Sequence, residues 1–169
     1  MFAKTIKINN ENQNICKPCG GECCKNTPGI FLPEQILKGY KPFEKVKEKI
    51  KNKNIIINTL EKAINDKYQT ILVIQPRTNN TLKNETGVVD DYNFGTCFNL
   101  TDIGCSLSFE DRPFGCQALI PKIDKKCFVE NKEDVSKTIW EQWSLQAGFM
   151  KDLRDSLWDD FENKGNQNV

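Results

Sequence analysis

The sequence predicts a mixed α+β domain, mostly helical, small, cysteine-rich and metal-stabilised, with a long C-terminal amphipathic helix. Three observations carry that expectation. Eight cysteines in 169 residues fall into two groups of four, at 16–24 and 97–127. Two long segments, 43–68 and 135–161, place apolar residues at helical spacing. Strand-like runs, such as Thr70 to Ile74, are short.

Residues 1–15 read as extended and polar, with one short strand at Thr5 to Ile8. Residues 16–28 combine four cysteines with Pro18, Gly20, Gly21 and Pro28, a tight loop with little room for regular structure. Gly29 to Leu32 reads as a short strand. Pro33-Glu34-Gln35 fits a helix first turn, because proline is tolerated there and an acid favours the positive end of the helix. From Phe43 to Tyr68, Phe43, Val46, Ile50, Ile57, Leu60 and Ile64 keep mostly helical spacing, with Asn52 and Asn54 able to split the segment into two helices. Thr70 to Gln75 reads as a strand and Pro76 to Gly87 as a polar loop. Short strands are expected near Val88–Tyr92 and Thr96–Leu100.

From Val135 to Phe161 a single long helix is expected, with Ile139, Trp143, Met150, Leu153, Leu157 and Phe161 on one face and Trp140, Phe149 and Trp158 widening it. Between Glu133 and Glu162 there are eight acidic and three basic residues, a local charge of −5. Packing on the domain is the favoured use of this helix, and a protein partner the other. The organisation is therefore a cysteine-cluster domain over 1–130, a helix over 131–162 packed on it, and a disordered tail over 163–169.

Composition excludes several classes of function. The chain has no histidine, which removes His-based triads, His general bases and Cys₂His₂ zinc sites. The formal net charge is +1, so no global field draws nucleic acid or anionic lipid. No apolar run approaches the roughly 18 residues of a membrane span, and the N-terminus has no signal-peptide core. A cytoplasmic location is expected, where thiols stay reduced and clustered cysteines read as metal ligands before disulfides. Disulfides in an exported protein are the alternative. The sequons at Asn79, Asn84 and Asn99 read as chance in a chain with 18 asparagines.

The first cysteine group is Cys16-x₂-Cys19-x₃-Cys23-Cys24, and the second is Cys97, Cys105, Cys116 and Cys127. A Cys-x-x-Cys turn puts two sulfurs on one side of a loop, and nearby glycines let backbone amides approach them. Neighbouring side chains diverge, so Cys23 and Cys24 suit two metals, or one metal and a free thiol. Eight thiolates fill two four-sulfur sites, or one iron–sulfur cluster and another metal. Arg112 precedes Cys116 by four residues. It either offsets thiolate charge and hydrogen-bonds sulfur or backbone carbonyls, or pairs with Glu110 or Asp111.

Cys16-Lys17-Pro18-Cys19-Gly20-Gly21-Glu22-Cys23-Cys24 resembles the Cys-x-x-Cys-x-x-x-Cys-Cys signature of the YkgJ-like zinc- or iron-chelating family. Leu32-Pro33-Glu34, Gly95-Thr96-Cys97-Phe98-Asn99-Leu100, Cys105 and Arg112-Pro113-Phe114-Gly115-Cys116 follow in that family's order, so the likeness spans roughly residues 16–121. Two departures stand out. Six residues separate Cys105 from Arg112 where the family usually has five, and Gln117 stands where a basic residue is common. The resemblance implies cysteine-bound zinc or iron, mononuclear or as an iron–sulfur cluster. It also reaches the cysteine-cluster region of flagellin lysine N-methylase, so a protein-modifying enzyme is the alternative to a metal-binding protein. No glycine-rich nucleotide loop follows a strand. The two cysteine groups are expected to meet in space, with no nucleic-acid or membrane partner.

Overall fold

The computed structural model describes residues 20–26, 28–64, 66–90, 94–102, 104–120, 122 and 127–166. The strand expected at Thr5 to Ile8 lies outside them. The largest feature is an antiparallel hairpin of two ten-residue strands, β1 (Ile55–Ile64) and β2 (Lys67–Pro76), in unbroken register from Ile55↔Pro76 to Ile64↔Lys67. The connection is two residues long, and Asp66 takes φ +59°, the left-handed conformation that such tight turns use. A two-residue strand, β3 (Val88–Val89), runs parallel to β1 on its other side, giving the order β2-β1-β3.

This hairpin corrects the expectation of a mostly helical chain. The helical spacing over Phe43 to Tyr68 holds only for its first half, as α2 (Pro42–Lys51), which follows a single turn, α1 (Pro33–Ile36). Beyond it, Ile55, Ile56, Ile57 and Asn58 are consecutive and all buried, so both faces of the first half of β1 are covered, while Glu61, Lys62 and Ala63 are exposed. A strand buried on both faces loses its alternation, and its apolar residues can imitate another period. The β-branched content and a partner strand of equal length decide for the sheet. Two small ribbons complete the strands: β4 (Leu100–Thr101) with β5 (Gly104–Cys105), and β6 (Leu119–Ile120) with β7 (Phe128–Val129). The short helix α3 (Phe114–Gln117) lies between the ribbons in sequence.

The single C-terminal helix is also corrected. There are two, α4 (Lys132–Ser144) and α5 (Ala147–Asn166), separated at Leu145 and Gln146. Their shared apolar face is as expected from spacing: Val135, Ile139, Trp143, Met150, Leu153 and Leu157 are buried, and both helices pack on β2. Trp158 and Phe161 stay exposed and meet edge to face, ring centres 6.2 Å apart. Helix α2 packs on β1 and α5. Lys47 and Lys51 there hold Asp160 of α5 at 2.9 and 2.5 Å, and Lys47 reaches Ser156.

The core is one apolar cluster joining Val46 and Ile50 of α2, Ile55, Ile57, Val73 and Ile74 of the hairpin, and Trp143, Met150 and Leu153 of the helices. Each such side chain contributes roughly 1.5–3 kcal/mol on burial. That cluster contains no cysteine. The metal-stabilised part of the expected fold class is therefore corrected. Among the described residues, no group of three or more metal-ligating side chains is arranged to hold an ion, and the packed core is apolar.

The segment Gly29–Leu32 is not a strand, but it is tied to one. The Phe31 amide donates to the Ile74 carbonyl at 3.0 Å, and the Trp143 indole donates to the Phe31 carbonyl at 2.7 Å. Arg77, just after β2, is 1% exposed, and among the described residues it forms no ion pair with a carboxylate. Its guanidinium instead donates to the carbonyls of Thr81 (2.6 Å), Asn84 (2.8 Å), Ile55 (3.2 Å) and Ile50 (3.3 Å). One side chain thus closes the end of α2, the start of β1 and the loop 81–84 together.

Candidate functional site

Cys23 and Cys24 lie on a single turn of 3-10 helix, Glu22–Lys25. Gly21, before it, has φ +71°, and a side chain there would meet the Leu100 methyl at 2.2 Å. Glycine is thus favoured by the left-handed turn, and it packs closely against Leu100 of the second cysteine segment. Cys16 and Cys19 lie outside the described residues. Cys23 and Cys24 do not diverge fully, since their sulfurs are 3.9 Å apart.

The second group reaches the first through the backbone. The Cys97 amide donates to the Cys24 carbonyl at 2.7 Å, and the Gly95 amide donates to the Asn26 carbonyl at 2.8 Å. On its other side, this segment bonds to the chain leaving β2: Asn79 donates to Thr96, and Phe98 donates to Arg77. Residues 95–98 are therefore the middle of a three-segment layer that joins the cysteine turn to the hairpin. Cys24 of the first group thus lies beside Cys97 of the second.

The remaining described cysteines gather around this seam. Cys105 sits in β5, paired with Leu100. Cys116 lies in α3, held against Gly29, where an added side chain would strike the Cys116 nitrogen and sulfur, both at 2.6 Å. The Gly29 backbone hydrogen-bonds the Cys116 sulfur. Cys127 precedes β7 and hydrogen-bonds Cys23 through its side chain. Thiolate charges on Cys23, Cys97 and Cys105 would each disfavour a charge on Cys116, which places these four thiols in one electrostatic neighbourhood.

Burial dominates the electrostatics. It pushes the Cys116 thiol up to about 12 and raises that of Cys97. The Cys23 thiol is raised first by its hydrogen bond with Cys24, then by burial and the Cys24 charge. Metal-free, these thiols are neutral at physiological pH. A metal ion inverts that preference by stabilising the thiolate.

The framework that aligns α1 with α3 is a single side chain, which the sequence reading missed. The Gln35 carboxamide donates to the Arg112 carbonyl at 2.9 Å and accepts the amides of Leu32 (2.9 Å) and Phe114 (3.0 Å). Arg112 takes up the backbone-carbonyl bond expected of it, and among the described residues it forms no ion pair with Glu110 or Asp111. Its guanidinium donates to the Leu107 carbonyl at 3.3 Å and lies 5.8 Å over the Phe109 ring, while Asp111 accepts from the Ser108 hydroxyl. Among the described residues, no helix is long and apolar enough to cross a membrane. No family model, curated protein or solved structure matches the chain.

Proposed function

We propose that this protein binds zinc or iron, mononuclear or as an iron–sulfur cluster, through thiolates drawn from Cys16, Cys19, Cys23, Cys24, Cys97, Cys105, Cys116 and Cys127, in a reducing, cytoplasmic compartment. The reading rests on the cysteine motifs and their resemblance to the YkgJ-like family. The observation that supports it is the Cys97–Cys24 backbone bond, which joins one cysteine of each group although more than 70 residues separate them.

The donor set fits that chemistry. Thiolate sulfur suits zinc and iron–sulfur centres, and with no histidine in the chain the nitrogen-rich sites are unavailable. The surrounding residues serve the sulfurs: the Gly29 backbone bonds Cys116, and Asn99 bonds Cys97 through backbone and side chain. Such hydrogen bonds orient ligands and temper their charge. Bound zinc would order the loops, whereas bound iron would add electron transfer. Elemental analysis and the absorption spectrum of anaerobically purified protein test the proposal. Stoichiometric zinc, or iron with a visible band, is expected. Metal-free protein with all cysteines reduced or paired as disulfides would refute it.

A further inference from the structure

Beside the cysteine layer, a cleft of about 440 Å³ opens between the α1–α2 region and the loop 106–112. Its floor is apolar, formed by the buried side chains of Phe31, Ile36 and Ile55. Its rim carries opposite charges from different parts of the chain: Lys38 and Lys49 from the helical side, Glu110 and Asp111 from the loop. Among the described residues, none of these four forms an ion pair, so the charges border the cleft without neutralising each other across it. Asn99 also lines the cleft, and its side chain hydrogen-bonds the Cys97 thiol.

We propose that this cleft is a binding site for a small zwitterion of the amino-acid or dipeptide class. Its carboxylate would face Lys38 and Lys49, its ammonium Glu110 and Asp111, and its side chain the apolar floor. The volume suits such a ligand, and the pattern is that of small-molecule sites: an apolar surface with a few polar groups that fix orientation. A uniformly anionic or cationic ligand would satisfy one wall and be repelled by the other. A ligand here also touches Asn99, one side chain from the cysteine layer. The site does not depend on whether metal is bound.

The test is a titration of the full chain, as purified, with glycyl-L-leucine, followed by amide NMR shifts. Saturable shifts at Phe31, Asn54, Asn99 and Leu107 are expected. N-acetylglycyl-L-leucine and glycyl-L-leucinamide each lack one charge and should bind about tenfold more weakly, because a charge-assisted contact is lost. Lys49→Glu lies on an exposed helix face and should preserve the spectrum elsewhere while weakening binding by a similar factor. Absence of saturable shifts, or equal binding of the two capped peptides and the free one, would overturn the proposal.

Discussion

The Gln35 carboxamide nitrogen donates to the Arg112 carbonyl at 2.9 Å, across 77 residues of sequence. The same side chain accepts two backbone amides, so it ties the Leu32-Pro33 helix start to the turn that presents Cys116. Gln35→Ala would leave Leu32 and Phe114 amides without an acceptor. A loss of roughly 2–3 kcal/mol is expected in urea unfolding. Gln35→Glu keeps both acceptor bonds and should lose less. Equal losses would show that the carboxamide is not the bridge.

Arg77 tests the buried carbonyl cage. Arg77→Met keeps much of the volume but leaves the Ile50, Ile55, Thr81 and Asn84 carbonyls short of their donor. A cost of about 3 kcal/mol is expected. Arg77→Lys offers only a compact ammonium and cannot fork to four acceptors, so an intermediate loss is expected. Thermal or urea unfolding measures both.

The contact between α2 and α5 is acid-labile. Lys51 first, then Lys47, hold the Asp160 carboxyl below the usual carboxylate range. A depressed folded pKa gives stability that is present above the unfolded value, near 3.9, and lost as pH falls through the folded one. Unfolding midpoints should therefore drop below about pH 4, and Asp160→Asn should flatten that drop. The side chain is one-third exposed, so at pH 7 the substitution should cost no more than about 1 kcal/mol.

The thiols give the opposite dependence. In metal-free, reduced protein, burial raises Cys116 to about 12 and Cys97 in the same direction. Raised folded values give stability that is complete below the ordinary thiol pKa and lost as pH rises. Denaturation midpoints should fall between about pH 9 and pH 12. Metal uptake should run the other way, tightening as pH rises, because each ligand must release a proton.

Legibility of the fold followed local chemistry. Pro33 marked a helix start, Thr70 to Gln75 a strand, and the spacing of Ile139, Trp143, Met150, Leu153 and Leu157 a buried face, because each signal lies in neighbouring residues. Ile55 to Ile64 misled because burial on both faces over Ile55 to Asn58 erased the alternation in the strand's first half. The Asn65-Asp66 pair between β-branched runs was the available sign of a hairpin. Gln35 and Arg77 were invisible as organisers, since their partners are backbone carbonyls and amides with no sequence signature. At the candidate site, the approach of Cys24 to Cys97 agrees with the expectation drawn from the two cysteine groups. For Arg112 the carbonyl bond was legible and the Phe109 ring contact was not, because a ring face leaves no signature in neighbouring residues.

Metal removal separates the site from the core. Chelation under reducing conditions should leave the near-ultraviolet signal of Trp143 and the hydrogen-exchange protection of Val73 and Ile74, while protection of the Cys97 amide falls. Global unfolding on chelation would show that the apolar cluster does not stand alone.

The most direct measurement of the central claim is X-ray absorption at the edge of the metal bound to anaerobically purified protein. Sulfur neighbours are expected throughout, at about 2.3 Å for zinc, with their number reduced by serine substitution at either Cys23 or Cys97. A shell of nitrogen or oxygen alone, or one indifferent to both substitutions, would contradict a thiolate centre built from the two cysteine groups.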